Sequence, residues 1–531
     1  MKNNEAIIKI QNILEKHPEY KRKLFVRGYI VSNDKYGSIN EFPFYSNWNE
    51  FVFGDFNIRV HKDQHIYYYG NENKSLILIG NCVNPFSLVY DESKIVKKIF
   101  LNIKNNLNDA ISYINELTGS FVIIYIAGDK ISFLSDPSGM LFGCYAMINK
   151  KFYMSSHSQM IGDLCNLCKD RYTERMESYK YFYKYGLFFP GDHTQFPEVN
   201  RIMQNHIFSY ESGNILFERF YPTDELKLCE TDKEYTNLVE NVFEILHNTM
   251  QCVSKKWRNP AISLTGGMDS KTTLASTNGL YDKFKYYSYV SMDGDKIDAD
   301  AAHSISNHLG LEHNIFYISD NDSDFQNIDI MRAVIEHNNG GYRINDNDAR
   351  KRFFFNNSFP YDVEVKSWVS EIARANYYKK FGLKKMPLHL SPRNMTSMYK
   401  IFLYQRKLAR ETDSIFAEFI EKSDFNNIPE GYDASDMYLW EFRYSAWGGQ
   451  VITSEHLFSN EIFIPYNNRN LLNLMLAAPQ EKRISDQFHE DLIRYGNKKI
   501  SDTNITITNW NETRLRMYVE KMYFLINSHI F

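Results

Sequence analysis

Between Pro260 and Ile318 the chain alternates short apolar runs with helical segments, and the connections between them are short. Pro260–Thr265, Phe284–Val290 and His313–Ile318 read as strands, being brief β-branched or aromatic runs bounded by breakers. A helix from Asp269 to a glycine stop at Gly279 fills the first gap, and one over Asp298–Leu309 fills the second. Strands separated by single helices must run parallel, so this half is expected to form a doubly wound α/β sheet. Ligands of such sheets lie at the carboxyl ends of the strands.

The first strand-to-helix turn carries the candidate chemistry. It reads Ser263-Leu264-Thr265-Gly266-Gly267-Met268-Asp269-Ser270. Glycines at 266 and 267 permit φ > 0 or close approach of a ligand to the backbone. The free N–H groups and dipole of the helix start favour an anion. Lys271, a cation in the first turn, opposes that dipole unless an anion lies between. Asp269 beside phosphates suits Mg²⁺, which takes one or two carboxylates and leaves its other positions to water and phosphate oxygens. ATP and Mg²⁺ are therefore the expected cofactors. The bland alternative is a glycine turn between a strand and a capped helix. Neither G-x-x-x-x-G-K-[ST] nor a G-x-G-x-x-G after a strand occurs.

This stretch resembles the pyrophosphate loop, S-G-G-x-D-S, of the asparagine synthetase family and its ATP-pyrophosphatase relatives, with Thr265 in place of the first serine. The resemblance implies an adenine nucleotide α-hydrolase-like domain with a helical extension. It puts the adenosine beside Tyr289, Val290 and Ser291. Asp298–Gly310 is similar to a family helix of the form D-x₃-A-x₃-A-x-x-L-G, although an N-capped helix with one packed face reads equally well. Lys366–Arg374 falls where asparagine synthetases carry G-E-G-S-D-E. Ser367 replaces the catalytic glutamate and Ser370 the second magnesium aspartate, whereas Glu371 is retained. Glu371 and Arg374 are the catalytic candidates with Lys271. Their i, i+3 spacing also suits a plain ion pair. Tyr438–Arg443 and Phe463–Arg469 resemble segments closing the synthetase core, with Asn467 or Asn468 where an aspartate is expected. Lys498 and Lys499 are a candidate phosphate-facing pair or a solvated charge run.

The first half reads differently. After an amphipathic helix over 5–16, strand-like runs extend from Leu24–Ile30 to about Ile79, and a helix is expected over 93–116. Then come four antiparallel strands at 120–126, 130–135, 142–147 and 151–155, helices at 157–165 and 172–184, and a hairpin at Ser212-Gly213. Leu117–Ile123, Leu134–Gly143 and Phe152–Ser158 are similar to the glutamine-amidotransferase domain of asparagine synthetases. That implies a four-layer αββα sandwich of the N-terminal-nucleophile-hydrolase type. The family's glutaminase uses a cysteine at position 2, but Lys2 stands there and no cysteine precedes Cys82. The domain therefore reads as a scaffold inactive on glutamine, as in the beta-lactam synthetases and lasso-peptide cyclases. The expected organisation is 1–217 amidotransferase-like, 218–233 a charged linker, and 234–531 the ATP-binding synthetase, opened by a helix over 233–257.

Composition excludes more than it selects. A formal charge of −4 over 531 residues gives no reason to expect nucleic acid or an anionic membrane. No apolar run approaches a membrane span. Six cysteines form no framework, and Cys165-x-x-Cys168 has no second pair, so a reducing cytoplasm is expected. The expected activity is an AMP-forming carbon–nitrogen ligase that adenylates a small-molecule or peptide carboxylate and passes it to ammonia or an amine. The resemblance leaves a homodimer open. Two other readings stand beside it: an inert binding or scaffold protein, and a pyrophosphate-loop sulfur-transfer or RNA-modifying enzyme. The second needs a reactive cysteine and a basic face that the sequence does not show.

Overall fold

The protein is described by a computed structural model. It covers residues 3–528 apart from 72, 187, 504, 506 and 508–512, so Lys2 lies outside the described residues. The strands of the first half are β1 (Tyr29–Ser32), β2 (Trp48–Phe53), β3 (Phe56–His61), β4 (Ile66–Gly70), β5 (Lys74–Val83) and β6 (Thr118–Ala127). They continue with β7 (Lys130–Ser135), β8 (Cys144–Ile148), β9 (Lys151–Ser155), β10 (Val199–Arg201), β11 (His206–Glu211) and β12 (Asn214–Arg219). These make two antiparallel sheets, ordered β10-β8-β9-β1-β3-β2 and β12-β11-β7-β6-β5-β4.

Side-chain alternation explains how the two sheets stack. In β1, Tyr29 and Val31 face the second sheet and, with Phe56 and Ile58 of β3, share one core with Leu78, Ile124 and Phe133 of that sheet. Ile30, between them, points the other way into a separate core with Met160, Met331 and Ile335 from helices. Period-2 patterning with both faces apolar is what a sheet covered on both sides requires. The helix Glu92–Asn102 packs on β4 and β5, covering the outside of the second sheet.

The second half is built on β13 (Pro260–Ser263), β14 (Lys285–Val290), β15 (His313–Tyr317), β16 (Val363–Val365) and β17 (Ile462–Phe463). All neighbours pair parallel, in the order β15-β14-β13-β16-β17. The strand order reverses beside β13, so the crevice between the carboxyl ends of β13 and β16 is the topological switch point, where open α/β sheets bind ligands. Among the described residues no helix is long and apolar enough to cross a membrane.

Several expectations are corrected. Leu24–Val26 is not a strand. It is a buried turn in which Phe25 and Arg27 take φ of 48° and 54°, and the Phe25 N–H donates to Asn338 Oδ1 at 2.8 Å. Apolar side chains there fill a core without a strand partner. The helix expected over 93–116 breaks at Ile103, because the Asp109 carboxylate collects the N–H groups of Lys104, Asn105 and Asn106 and starts a new turn. That over 172–184 breaks at Tyr179, whose hydroxyl donates to Ile401 O at 2.7 Å. The helix placed at Asp298 starts at Asp293, since Asp295 rather than Asp298 takes the N–H and hydroxyl of Ser291. β16 and β17 went unread. They are two or three residues long and show no period of their own.

The segment Asn467-Asn468-Arg469 also changes its meaning. Asn467 Nδ2 donates to Gly119 O and to Asp136 Oδ1, both at 2.7 Å. Asn468 Nδ2 donates to Glu116 O at 2.8 Å and Thr118 Oγ1 at 3.0 Å. Arg469 reaches Asn205 Oδ1 and Ser135 O, each at 3.0 Å. These three side chains hold the antiparallel half to the parallel half; they are not part of the crevice.

Candidate functional site

The loop after β13 forms one wall of the crevice. Ser270, in the first turn of the helix Met268–Ser276, folds back: its Oγ lies 3.0 Å from Thr265 Oγ1 and donates to Thr265 O at 3.0 Å and Gly267 O at 3.2 Å. Thr265 Oγ1 in turn accepts the Gly267 N–H at 3.1 Å. Hydroxyls at 265 and 270 thus set the loop's shape. Neither glycine uses a positive φ; Gly267 is the helix N-cap at φ −75°. What they supply is room. A Cβ on Gly266 would sit 2.6 Å from Ile507 Cδ1 and 3.0 Å from Ala301 Cβ, and one on Gly267 would sit 3.2 Å from Thr265 Oγ1.

A cavity of about 250 Å³ lies against this loop, lined by Ser263, Leu264, Thr265, Gly267, Asp269 and Ser270 from the loop and by Ser288 and Tyr289 from β14. Asp295, Asp298, Ala299, Lys366, Ser367, Trp368 and Glu371 complete it. A second cavity of about 610 Å³ shares Thr265, Gly267, Asp269, Asp298 and Glu371, and adds Arg374, Lys379 and Asp486. Gly266, Lys271, Val290 and Ser291 line neither. Gly266 packs inward, with its N–H donating to Asp298 Oδ1 at 3.2 Å. Val290 O takes the Ile318 N–H at 2.8 Å, and Ser291 serves the helix start. Lys271 is the larger surprise. It is buried, and its Nζ donates to Ile505 O at 2.7 Å. It stands on the side of its helix turned to the C-terminal stretch, so tertiary contacts rather than the helix dipole fix its ammonium.

The cations of the site come from elsewhere. Arg374 Nη1 meets Asp269 Oδ2 at 2.6 Å, its Nε meets Asp486 Oδ1 at 2.8 Å, and Lys379 Nζ reaches the same Asp486 oxygen at 2.5 Å. Burial works against the Arg374 charge, but Asp269 and Asp486 outweigh it and hold its pKa above the ordinary value. Ser370 Oγ donates to the other oxygen of Asp269. The i, i+3 ion pair between Glu371 and Arg374 does not form, although the 3₁₀ turn Ser370–Arg374 sets the two positions on one face, because Asp269 and Asp486 take the guanidinium. Glu371 instead accepts from the Tyr444 hydroxyl. Burial, then the charge of Asp269, push the Glu371 carboxyl up to about 7. Ser367 Oγ lies 2.7 Å from Thr273 Oγ1, a tie between the two loops. Beneath Asp269, His489 is fully buried with Nε2 3.8 Å from Asp269 Oδ1, and burial pulls its pKa down to about 4.

Among the described residues no three His, Cys, Asp or Glu side chains converge to hold a metal by themselves. Mg²⁺ needs less when phosphates supply oxygens. Asp269, which lines both cavities, offers that smaller donor set.

No protein-family model matches the chain, and no curated protein sequence does. Among solved structures it is similar to the glutamine phosphoribosylpyrophosphate amidotransferase of B. subtilis complexed with ADP and GMP, at TM-score 0.24 and 12% identity over 57% of this chain and 62% of that one. A structure of the allosteric regulatory enzyme of purine biosynthesis matches at TM-score 0.25 and 11% identity, over 61% of this chain and 88% of that one. The glutamine-dependent NAD⁺ synthetase of Acinetobacter baumannii in complex with ADP matches at 0.21 and 10%, over 39% and 43%. The chain spans about three fifths of the first of these. Likenesses this weak decide nothing about the reaction, which the geometry has to carry.

Sequence reasoning missed Lys379, Tyr444, Asp486 and His489. Asp486 is the N-cap of the helix Gln487–Gly496 that carries His489, while Lys379 and Tyr444 come from two other segments; each is more than 60 positions from some partner in the cluster, and none stands in a recognisable motif. Asp486 has φ 63°, a left-handed conformation that Asp tolerates better than most residues. That single signal is visible only in the fold.

Proposed function

We propose that the protein is an ATP-dependent, AMP-forming ligase that adenylates a carboxylate and passes the acyl group to ammonia or an amine. One observation carries this reading. At the switch point of the parallel sheet, a helix N-terminus, Asp269, Glu371 and the cations Arg374 and Lys379 line two adjoining cavities. Helix N–H groups and two basic side chains make a pyrophosphate seat. Asp269 would hold Mg²⁺, which would supply charge neutralisation at the phosphates. Tyr289 and Trp368 offer flat walls for a base in the smaller cavity. Arg374, tied to Asp269 and Asp486, is ready to exchange a carboxylate partner for a phosphate. Glu371, with a pKa about 7 and a hydrogen bond from Tyr444, suits a general base that takes a proton from the incoming amine.

Ammonia or an amine rather than glutamine is the nitrogen source in this reading. Burial pushes the Cys82 thiol up to about 12 and those of Cys165 and Cys252 up to about 11, which opposes thiolate nucleophiles. The antiparallel half then serves as a scaffold of the N-terminal-nucleophile-hydrolase kind, clamped through Asn467–Arg469.

A second reading has one observation in its favour. Both oxygens of Asp269 are already satisfied by Ser370 and Arg374, as in a binding protein that needs no metal. ATP–pyrophosphate exchange and AMP release, screened over carboxylates with ammonia or amines supplied, separate the two. Exchange and AMP release establish the ligase. Tight ATP binding without either would leave the binding protein. Glutamate release from added glutamine would overturn the choice of nitrogen donor.

A further inference from the structure

Glu371 lines a third cavity, away from the loop, of about 300 Å³. This cavity opens through Tyr185, Lys400, Ile401, Arg516 and Glu520, which it shares, into a fourth of about 700 Å³. Together they form a trench from the candidate reaction centre to the surface, where the Tyr404 side chain stands fully exposed. Each cavity is of a size that takes a whole small molecule, and neither is needed for ATP.

The trench inverts the sign of the molecule. The chain carries a formal charge of −4, yet seven basic residues and two acidic ones line the two cavities. One of the acids, Glu520, already serves Lys380 at 2.7 Å and Arg516 at 2.9 Å. The other is Glu371, occupied by Tyr444. The Tyr185 ring is approached by two cations, Lys400 Nζ at 3.7 Å and Arg516 Cζ at 3.5 Å from its centroid. Lys400 is only 6% exposed, so its charge sits in a poorly solvated place. Arg443 points its guanidinium into the inner cavity, with 3.4 Å contacts to Gly186 O and its plane near Trp447. Cations gathered on aromatic walls, partly dried and outnumbering carboxylates, are the chemistry of an oxyanion site.

We propose that this trench binds the acceptor substrate, and that the substrate carries an oxyanion, carboxylate or phosphate, remote from the group that reacts beside Glu371. The inference rests on the ligase reading for what happens at Glu371, but the anion site itself can be tested alone. Phenyl phosphate and phthalate, both dianions on one ring, would be titrated calorimetrically into the full-length protein without ATP. At least one should bind, and the tighter of the two tells which oxyanion the trench prefers. Lys400→Met, which keeps the aliphatic stem between the tyrosines, should weaken that probe about tenfold or more, the effect of losing one charge-assisted contact. Lys180→Ala, an exposed change that spares the fold, should weaken it less but measurably. Lys379→Met, in the pyrophosphate seat, removes whatever share of the binding belongs there, and the trench share should remain. Thermal melts of the same samples check folding. The inference is overturned if neither probe binds at millimolar concentration, if the trench variants bind like the wild type, or if only Lys379→Met weakens binding. ATP binding measured in parallel separates the two proposals: probe binding that follows the trench variants sustains the trench even in a protein that binds no ATP.

Discussion

Asp269 sits between a helix N-terminus and the Arg374 guanidinium, and its charge can be removed with little change of shape. Asp269→Asn keeps the bonds to Ser370 and an acceptable residue for the first turn. It removes one negative charge beside the phosphates, and pyrophosphate exchange should fall about 10²–10³-fold, the size of one preorganised electrostatic group. The melting temperature, measured on the same preparation, should fall only with the lost ion pair to Arg374, whose guanidinium keeps Asp486, and the protein should stay folded. An unchanged exchange rate would mean that Asp269 holds no metal. Glu371 gives a second test at this scale. Its carboxyl is pushed up to about 7 by burial and by Asp269, so a base at this position is protonated below that pH and free above it. The rate of amide formation should rise with pH through about 7, and Glu371→Gln should lower the rate and remove the rise. A pH profile of kcat for the two proteins decides the point.

Among the elements, the turn before β17's helix neighbour, Asn467–Arg469, does the most for the least length. Arg469 is completely buried, and burial drags its guanidinium down to about 10 even with Asp136 nearby. Arg469→Ala would strip Asn205 and Ser135 of a donor and leave Asp136 without its nearest buried cation. Such breaks in buried charged networks cost about 3–5 kcal/mol, which denaturant midpoints would report. Asn468→Ala, which loses a helix cap and the bonds to Glu116 O and Thr118 Oγ1, should cost less, about 2–3 kcal/mol. Equal losses for the two would deny Arg469 its special place. The glycine loop after β13 is legible at this scale because its determinants are local. Strand, small residues and helix follow one another within eleven positions, and Thr265 and Ser270 close the loop on themselves.

For the whole molecule, stability and cleavage are the measurable outcomes. Glu455 is buried beside Asp348, Arg352 and Lys351, with Asn339 donating to it at 2.9 Å. Burial, then Asp348, push its carboxyl up to about 8. In the unfolded chain it releases its proton near 4.5, so the fold holds a proton there that the unfolded chain has lost. The associated stability is complete below 4.5, falls as pH rises, and is gone above about 8. The swing is on the order of 5 kcal/mol, and Glu455→Gln should flatten the pH dependence of the melting temperature across that window. Limited proteolysis probes the join between halves. The connector is not free along its length: Leu226 N–H donates to Glu430 O at 2.9 Å and Cys229 N–H to Ala477 O at 3.0 Å. Cleavage is expected at the exposed Thr223–Glu225, with the two fragments remaining together on a sizing column because Arg219–Glu441 and Asn467–Arg469 bridge them. Separation of the fragments would show that these bridges hold little.

What the sequence determined by itself was whatever repeats over a short distance. The alternation of strands and helices from Pro260 to Ile318 dictated a parallel sheet, and period-2 runs in the first half dictated antiparallel ones. The glycine turn marked the carboxyl end of the central strand. Only the tertiary structure decided where the charges meet. Lys271 turned away to the Ile505 carbonyl, and Arg374 left Glu371 for Asp269. Lys379 and Asp486 joined the cluster from positions no motif tied to it, and Asn467 proved to face the other half of the chain. The physical reason is the same in each case. A charged side chain goes where its desolvation is best offset, and its partners are gathered by long-range packing that leaves no local pattern to read.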